Sequence, residues 1–240
     1  MEVIITKNYD EMSTTAAKLV AARLEAKANA LLSFPGGTTP IGMVHSFCEM
    51  VNNNIVDISK ASFVSLDEWV GLSAKDEGSC GEFHEKNLFN KLEQSFADTH
   101  IINGAAANIE EEKETLNRYI KEKGPITVSV LGIGLNGHLG FNEAGVAPNL
   151  EAHIIPLDDV TKRVMSKYFG EKFYPTHGLT QGLKQIMEAE TVILLADGKH
   201  KAEIIYKALK EPVNKEIPAS ILQNHPNCYV ILDEGAASKL

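Results

Sequence analysis

Apolar positions along this chain follow two alternating rhythms. Short runs rich in β-branched and aliphatic residues, at 3–6, 30–34, 61–66, 126–131, 191–196 and 228–233, read as strands buried on both faces. Between them, apolar residues return every three or four positions, which predicts helices over 9–27, 40–51, 81–93, 109–123, 158–169 and 199–209. Strand and helix alternate, so the expected class is α/β: a Rossmann-like parallel sheet with helices on both faces. No repeat, low-complexity tract or Pro/Gly/Ser-rich linker interrupts the pattern, and a single domain over 1–240 is expected.

In such sheets ligands bind beyond the carboxyl ends of the strands, so the residues that follow each strand matter most. After 30–34 comes Pro35-Gly36-Gly37-Thr38-Thr39-Pro40, where glycines, hydroxyls and a proline at a helix start suit a nest of N–H groups for a phosphate. After 61–66 come two carboxylates, Asp67 and Glu68, beside the chain's one tryptophan, Trp69. After 126–131 the loop 132–143 sets Gly132, Gly134, Gly137 and Gly140 around His138, with Asn136 and Glu143 close by. After 191–196 comes Asp197-Gly198-Lys199-His200-Lys201, whose lysines oppose the dipole of the helix they open unless an anion offsets them.

Taken singly, each feature has an ordinary explanation, a glycine turn or a solvated pair of carboxylates. Four of them at four strand ends point to one shared site for a phosphorylated polar molecule. Carboxylates with a histidine, and no phosphoryl-transfer lysine-serine motif, indicate proton movement on that molecule, as in an isomerase, deaminase or hydrolase.

Other classes fit less well. Gly132-Ile133-Gly134-Leu135-Asn136-Gly137 matches the dinucleotide pattern, and Asp158 and Asp159 fall near the ~20-residue spacing of its acidic partner. That fingerprint requires a helix to open at its third glycine, whereas this chain runs on through Asn142-Glu143-Ala144-Gly145 to Pro148, so no nicotinamide cofactor is expected. Neither HxxxH nor HExxH spacing occurs, and no metal is expected. The chain has 240 residues, 44% of them hydrophobic, and a formal net charge of -9, which disfavours nucleic acid and anionic membranes. It lacks a membrane-length apolar run and a secretory start, so a cytoplasmic location is expected. Cys48, Cys80 and Cys228 are too scattered for a disulfide framework, and reduced thiols are expected. His45, His84, His100, His153 and His225 carry no motif spacing, and most of them read as surface or satisfied core residues.

Two ordered segments, Leu66-Asp67-Glu68-Trp69-Val70-Gly71-Leu72 and 131–145, resemble the signature segments of the glucosamine-6-phosphate deaminase/isomerase family. The fold of that family is shared with 6-phosphogluconolactonases and ribose-5-phosphate isomerases. Supporting likeness lies in Gly36-Gly37-Thr38-Thr39-Pro40, in 176–183 and in Gly198-Lys199-His200-Lys201-Ala202, so the resemblance covers nearly the whole chain.

The resemblance implies a hexosamine 6-phosphate substrate, opened, isomerised and deaminated to a ketose 6-phosphate and ammonia without a cofactor. It implies Asp67 as the base that moves the C2 proton, and His138 as the ring-opening residue, oriented by Glu143 and Asn136. Gly36, Gly37, Thr38, Thr39, Lys167 and Lys201 are implied as phosphate contacts, with Glu68 and Gly137 completing the substrate-facing set. Lys167 stands where the family commonly has an arginine, keeping the charge but losing the bidentate fork.

Trp69 and the segment Gly78-Ser79-Cys80-Gly81-Glu82-Phe83 depart from the usual tyrosine-containing stretches, and Asn136 is aspartate in some members. The epimer stays open between gluco and galacto, because one or two hydrogen bonds read a hydroxyl inversion. A lactonase would usually carry a serine-leucine-phenylalanine continuation where this chain has Phe141-Asn142-Glu143, and a sugar-phosphate sensor would carry a DNA-binding module. The chain stops soon after its last strand, which argues against allosteric control and leaves a monomer or a homo-oligomer open.

Overall fold

Successive side chains of a strand point to opposite faces, and the central strands here feed two cores at once. Leu31, Val64, Leu131, Leu194 and Val230 join one buried cluster, while their strand neighbours Leu32, Phe63, Val130, Ile193 and Ile231 join the other. Such strands must be apolar on both sides, which is why their sequences are continuous hydrophobic runs.

The computed structural model describes residues 1–159, 161–162 and 175–240. Strands β1 (Glu2–Thr6), β2 (Leu31–Phe34), β3 (Ser62–Ser65), β5 (Asp98–His100), β6 (Val128–Gly132), β9 (Thr191–Ala196) and β10 (Cys228–Asp233) form a seven-stranded sheet in the order β1-β10-β9-β6-β2-β3-β5. Every pairing in it is parallel. One face is covered by α1 (Tyr9–Ala26) and α2 (Ile41–Asn52), which bury Met12, Ala16, Val20, Met43 and Phe47. On the other face lie α4 (Ile109–Lys123), α5 (Leu183–Met187) and α6 (Ala202–Lys210), through Leu116, Ile186, Ile205 and Ala208. The expected α/β class is therefore present.

Helix starts follow the local chemistry. Asn8 and Asn108 accept from the N–H groups of Glu11 and Glu111, and Glu110, Glu111 and Glu112 occupy the first turn of α4, where negative charge suits the dipole.

A second, three-stranded antiparallel sheet was not foreseen. Its members are β4 (Asp67–Trp69), β7 (His153–Pro156) and β8 (His177–Thr180), in the order β4-β8-β7. These strands, like β5, are too short and too polar for an alternating pattern to register. Of the helix expected over 158–169, Asp159, Thr161 and Lys162 are helical and the remainder lies outside the described residues.

His84 is an exception among the histidines without motif spacing. On α3 (Cys80–Asn87) it is fully buried against Phe63 and Phe83, and neither ring nitrogen has a partner among the described residues.

Sheet order explains where chemistry can gather. The chain leaves β2 in one direction, through β3 to β5, and leaves β6 in the other, through β9 to β10, so the order reverses between β2 and β6. Loops at the carboxyl ends on either side of such a reversal enclose a crevice. The loops after β9, β6, β2 and β3 are the four singled out from sequence, and these strands are direct neighbours.

Candidate active site

The loop after β6 runs from Ile133 to Ala152 as turns, without a helix, so the dinucleotide pattern lacks the context it needs. Gly134 accepts from the N–H of Gly137 and donates its own to the carbonyl of His138, at 3.0 Å in each case, folding the loop back on itself. This places the His138 ring directly against Gly134, where a Cβ would come within 2.5 Å of Cε1. Only glycine permits that approach.

His138 Nδ1 faces Glu143, 3.4 Å from Oε2. Asn136 Nδ2 donates to the same Oε2 at 2.9 Å and to Asp158 Oδ2 at 2.7 Å, while the Thr161 hydroxyl donates to Glu143 Oε1 at 2.6 Å. Burial pushes the Glu143 carboxyl up, but contacts from His138, Thr161 and Asn136 outweigh it and hold the group below the usual range. Glu143 is thus a carboxylate that organises the loop. Asp158, at the acidic spacing of the dinucleotide pattern, serves this network by accepting from Asn136.

Asp67 begins β4, 8% exposed, with Oδ2 about where it would contact a side chain at Gly140, 3.4 Å from that Cβ position. Burial raises its pKa to about 6, opposed by a hydrogen bond from the Cys80 thiol and by the charge of His138. Glu68 is fully buried and accepts from the N–H groups of Trp69, Cys80 and Gly81 at 2.8, 3.1 and 2.7 Å. Burial nonetheless lifts it to about 7. Expected among the substrate-facing residues, Glu68 spends its carboxylate on fastening the start of α3 to β4.

Cys80 therefore sits between Asp67 and the loop after β2: a Cβ at Gly36 would lie 3.5 Å from its Sγ. Burial, then the charges of Asp67 and Glu68, raise the thiol well above its ordinary value, which keeps it a protonated donor. In the β2 loop Gly37 takes φ of 106°, a left-handed conformation that glycine adopts without strain. Thr39 donates to Asp197 at 2.5 Å, joining this loop to the one after β9. From there Lys201 Nζ reaches Ile133 O at 2.6 Å. Gly137 packs against the 217–219 segment, with Ala219 donating to its carbonyl at 2.9 Å.

The structure thus brings Asp67, Asn136, Gly137, His138, Glu143, Lys201 and the Gly36–Thr39 loop to one edge of the sheet; Lys167 lies outside the described residues. Thr161 and Thr180 were not singled out from sequence. The Thr180 hydroxyl accepts from Phe141 N at 3.2 Å and supports the His138 loop from β8. A lone threonine carries no spacing signal, although Thr180 lay inside the matching 176–183 segment. Trp69, buried, packs on Phe141 with ring centroids 4.5 Å apart, so it braces the loop. Among the described residues no group of three or more His, Cys, Asp or Glu side chains is placed to hold a metal ion.

A family model described as glucosamine-6-phosphate isomerases/6-phosphogluconolactonase matches residues 7–230. The chain belongs to that family. Within it, the chain is 37% identical to a glucosamine-6-phosphate deaminase of Clostridium botulinum strain Alaska E43, covering all of this chain and 97% of that one. It is also 37% identical to the Thermoanaerobacter pseudethanolicus protein of the same name, over 99% and 94% of the two chains. A solved structure described as a monomeric glucosamine-6-phosphate deaminase superposes with a TM-score of 0.95 at 30% identity over both full lengths. A Leishmania guyanensis 6-phosphogluconolactonase shares the family fold, with a TM-score of 0.79 at 18% identity over 100% of this chain and 98% of that one.

Proposed function

We propose that this family member is a glucosamine-6-phosphate deaminase, forming fructose 6-phosphate and ammonia. The observation that carries the reading is Asp67, a buried carboxylate lifted to about 6 and within the electrostatic reach of His138. A base that must take a carbon-bound proton near neutral pH works best when its own pKa lies close to that pH.

His138 would accept the C1 hydroxyl proton and return one to the ring oxygen, opening the sugar. Asp67 would then take the C2 proton and deliver it to C1. As C1 gains that proton, its carbonyl oxygen is protonated to a hydroxyl and the amine gives up one proton in forming a carbon–nitrogen double bond at C2, which water cleaves to ketone and ammonia. The Gly36–Thr39 loop, Lys201 and Lys167 are the proposed phosphate contacts. Lactone hydrolysis moves no proton from C2, so a base placed to serve that carbon is a requirement of the deaminase reading and not of the lactonase one. The relatives' shared name supports the gluco epimer over the galacto.

We also read residues 1–240 as one catalytic unit working as a monomer in the cytoplasm. The described 30% identical neighbour supports the monomer, and no described helix is long and apolar enough to cross a membrane.

The test is ammonia release by purified protein given glucosamine 6-phosphate, galactosamine 6-phosphate and 6-phosphogluconolactone in parallel. Ammonia from the first confirms the proposal, and ammonia from the second alone changes the epimer. Lactone hydrolysis without ammonia from either sugar overturns it. His138→Gln should slow ammonia release ~10²-fold or more while sugar phosphate still binds.

A further inference from the structure

Thr161, which no motif marked, and Asp158, notable in the sequence only for its spacing from the glycine loop, hold His138 in place. Thr161 Oγ1 lies 2.6 Å from Glu143 Oε1 and 3.3 Å from His138 Nδ1, and Glu143 Oε2 lies 3.4 Å from that same Nδ1. A threonine hydroxyl carries one proton, and an ionised carboxylate can only accept. The short contact with Glu143 therefore takes the Thr161 proton. What Thr161 turns toward His138 is a lone pair, and Glu143 Oε2 offers another. With two acceptors facing it, Nδ1 carries the imidazole proton and Nε2 is left bare. Neither contact to Nδ1 is short, so its proton is shared between both acceptors, and removing the hydroxyl leaves only the longer one.

Asp158 completes the frame. Its Oδ1 accepts from Thr161 N at 2.8 Å, and its Oδ2 accepts from Asn136 Nδ2 at 2.7 Å. The first bond alone would be an ordinary helix cap. The second ties that cap to the loop carrying His138, through an amide that also grips Glu143 at 2.9 Å. One carboxylate thus holds the backbone of Thr161 and the side-chain amide of Asn136, two residues that donate to Glu143.

We propose that Thr161 and Asp158 are positioning residues that lock His138 as its Nδ1–H tautomer and leave Nε2 as the proton acceptor for ring opening. The tautomer follows from the contacts above, whereas its use in ring opening rests on the proposed deaminase reading. In that use Nε2 takes the proton of the C1 hydroxyl. The resulting imidazolium keeps Nδ1–H on Thr161 and Glu143, whose negative charge stabilises it until Nε2 returns a proton to the ring oxygen.

Long-range proton–nitrogen NMR of the full chain carrying ¹⁵N-histidine reads the tautomer directly, without substrate. In the wild type the His138 Nε2 should resonate as an unprotonated nitrogen, and Thr161→Ser should preserve this. Thr161→Val, close in shape but without the hydroxyl, should show a mixture of tautomers. Its kcat should fall about tenfold and its KM should change less than twofold, with the serine variant restoring kcat. Asp158→Asn should move the spectrum in the same direction. An Nε2–H tautomer in the wild type overturns the proposal, as does a valine variant that keeps both the single tautomer and the wild-type kcat. An Nδ1–H tautomer in a protein that releases no ammonia from either hexosamine phosphate upholds the tautomer and removes the deaminase reading instead.

Discussion

The imidazole of His138 rests against the backbone of Gly134, so closely that a methyl group there would lie 2.5 Å from both Cε1 and Nε2 and 2.6 Å from Cδ2. Gly134→Ala must displace the ring, because the loop backbone is held by its own hydrogen bonds. Expected is a 10- to 100-fold loss of kcat, on the order seen when a catalytic group is misplaced. The melting temperature should move by only a few degrees, because the ring is part of a partly exposed loop and not of the core. Wild-type turnover in a folded alanine variant would remove the assigned role of His138.

Asp67→Asn should separate activity from stability. The folded chain holds the Asp67 proton more tightly than the unfolded chain does, since burial lifts the pKa from 3.8 to about 6. The group therefore favours folding at low pH, and this contribution is lost as the pH rises through about 6. Asparagine removes the cost of the buried charge above that pH. Turnover should fall ~10²-fold or more, while stability at pH 7.5 rises by about 1–3 kcal/mol. Thermal denaturation beside a steady-state assay checks both.

The acid side of the kcat/KM profile should fall off near pH 6, where Asp67 takes up its proton. The Cys80 thiol donates to Asp67 and holds its pKa down, so Cys80→Ala should shift this limb to higher pH. Cys80→Ser keeps a donor and should move it back. An unshifted limb in the alanine variant would mean that the thiol does not act on the base.

His84 gives the protein a weakness to acid. Burial drives its pKa from 6.5 to about 3, so its stabilising contribution is complete above pH 6.5 and is lost as the pH falls toward 3. His84→Leu, nearly equal in volume, should reduce the stability lost between pH 7 and pH 5 by about 2 kcal/mol. Urea unfolding of both proteins at the two pH values measures this.

Long, doubly buried strands such as β9 and β10, and helices such as α4, could be delimited from sequence because both periodicity and caps act locally. Asp67-Glu68-Trp69 showed the limit of that approach: three residues are too few for alternation, and pairing with Leu179 and Thr180, more than a hundred positions away, makes them a strand. The site divided the same way. His138, Glu143 and the Gly36–Thr39 loop announced themselves through glycines and spacing. Glu68 looked like a ligand contact because its carboxylate follows a strand, yet the backbone N–H groups that occupy it come largely from α3, twelve residues on. Thr161 had no neighbouring pattern at all, and its meaning depends on where Glu143 comes to rest.

The position of β6 between β9 and β2 has a bearing on how the enzyme comes into being. One flank of β6 is bare until the chain has been made as far as Ala196, long after both Asp67 and His138 have left the ribosome. A growing chain can hold base and imidazole and still lack the scaffold that aligns them. Competence should thus arrive late and all at once, and two fragments divided in the 104–108 loop should be inert apart and regain activity only on recombining.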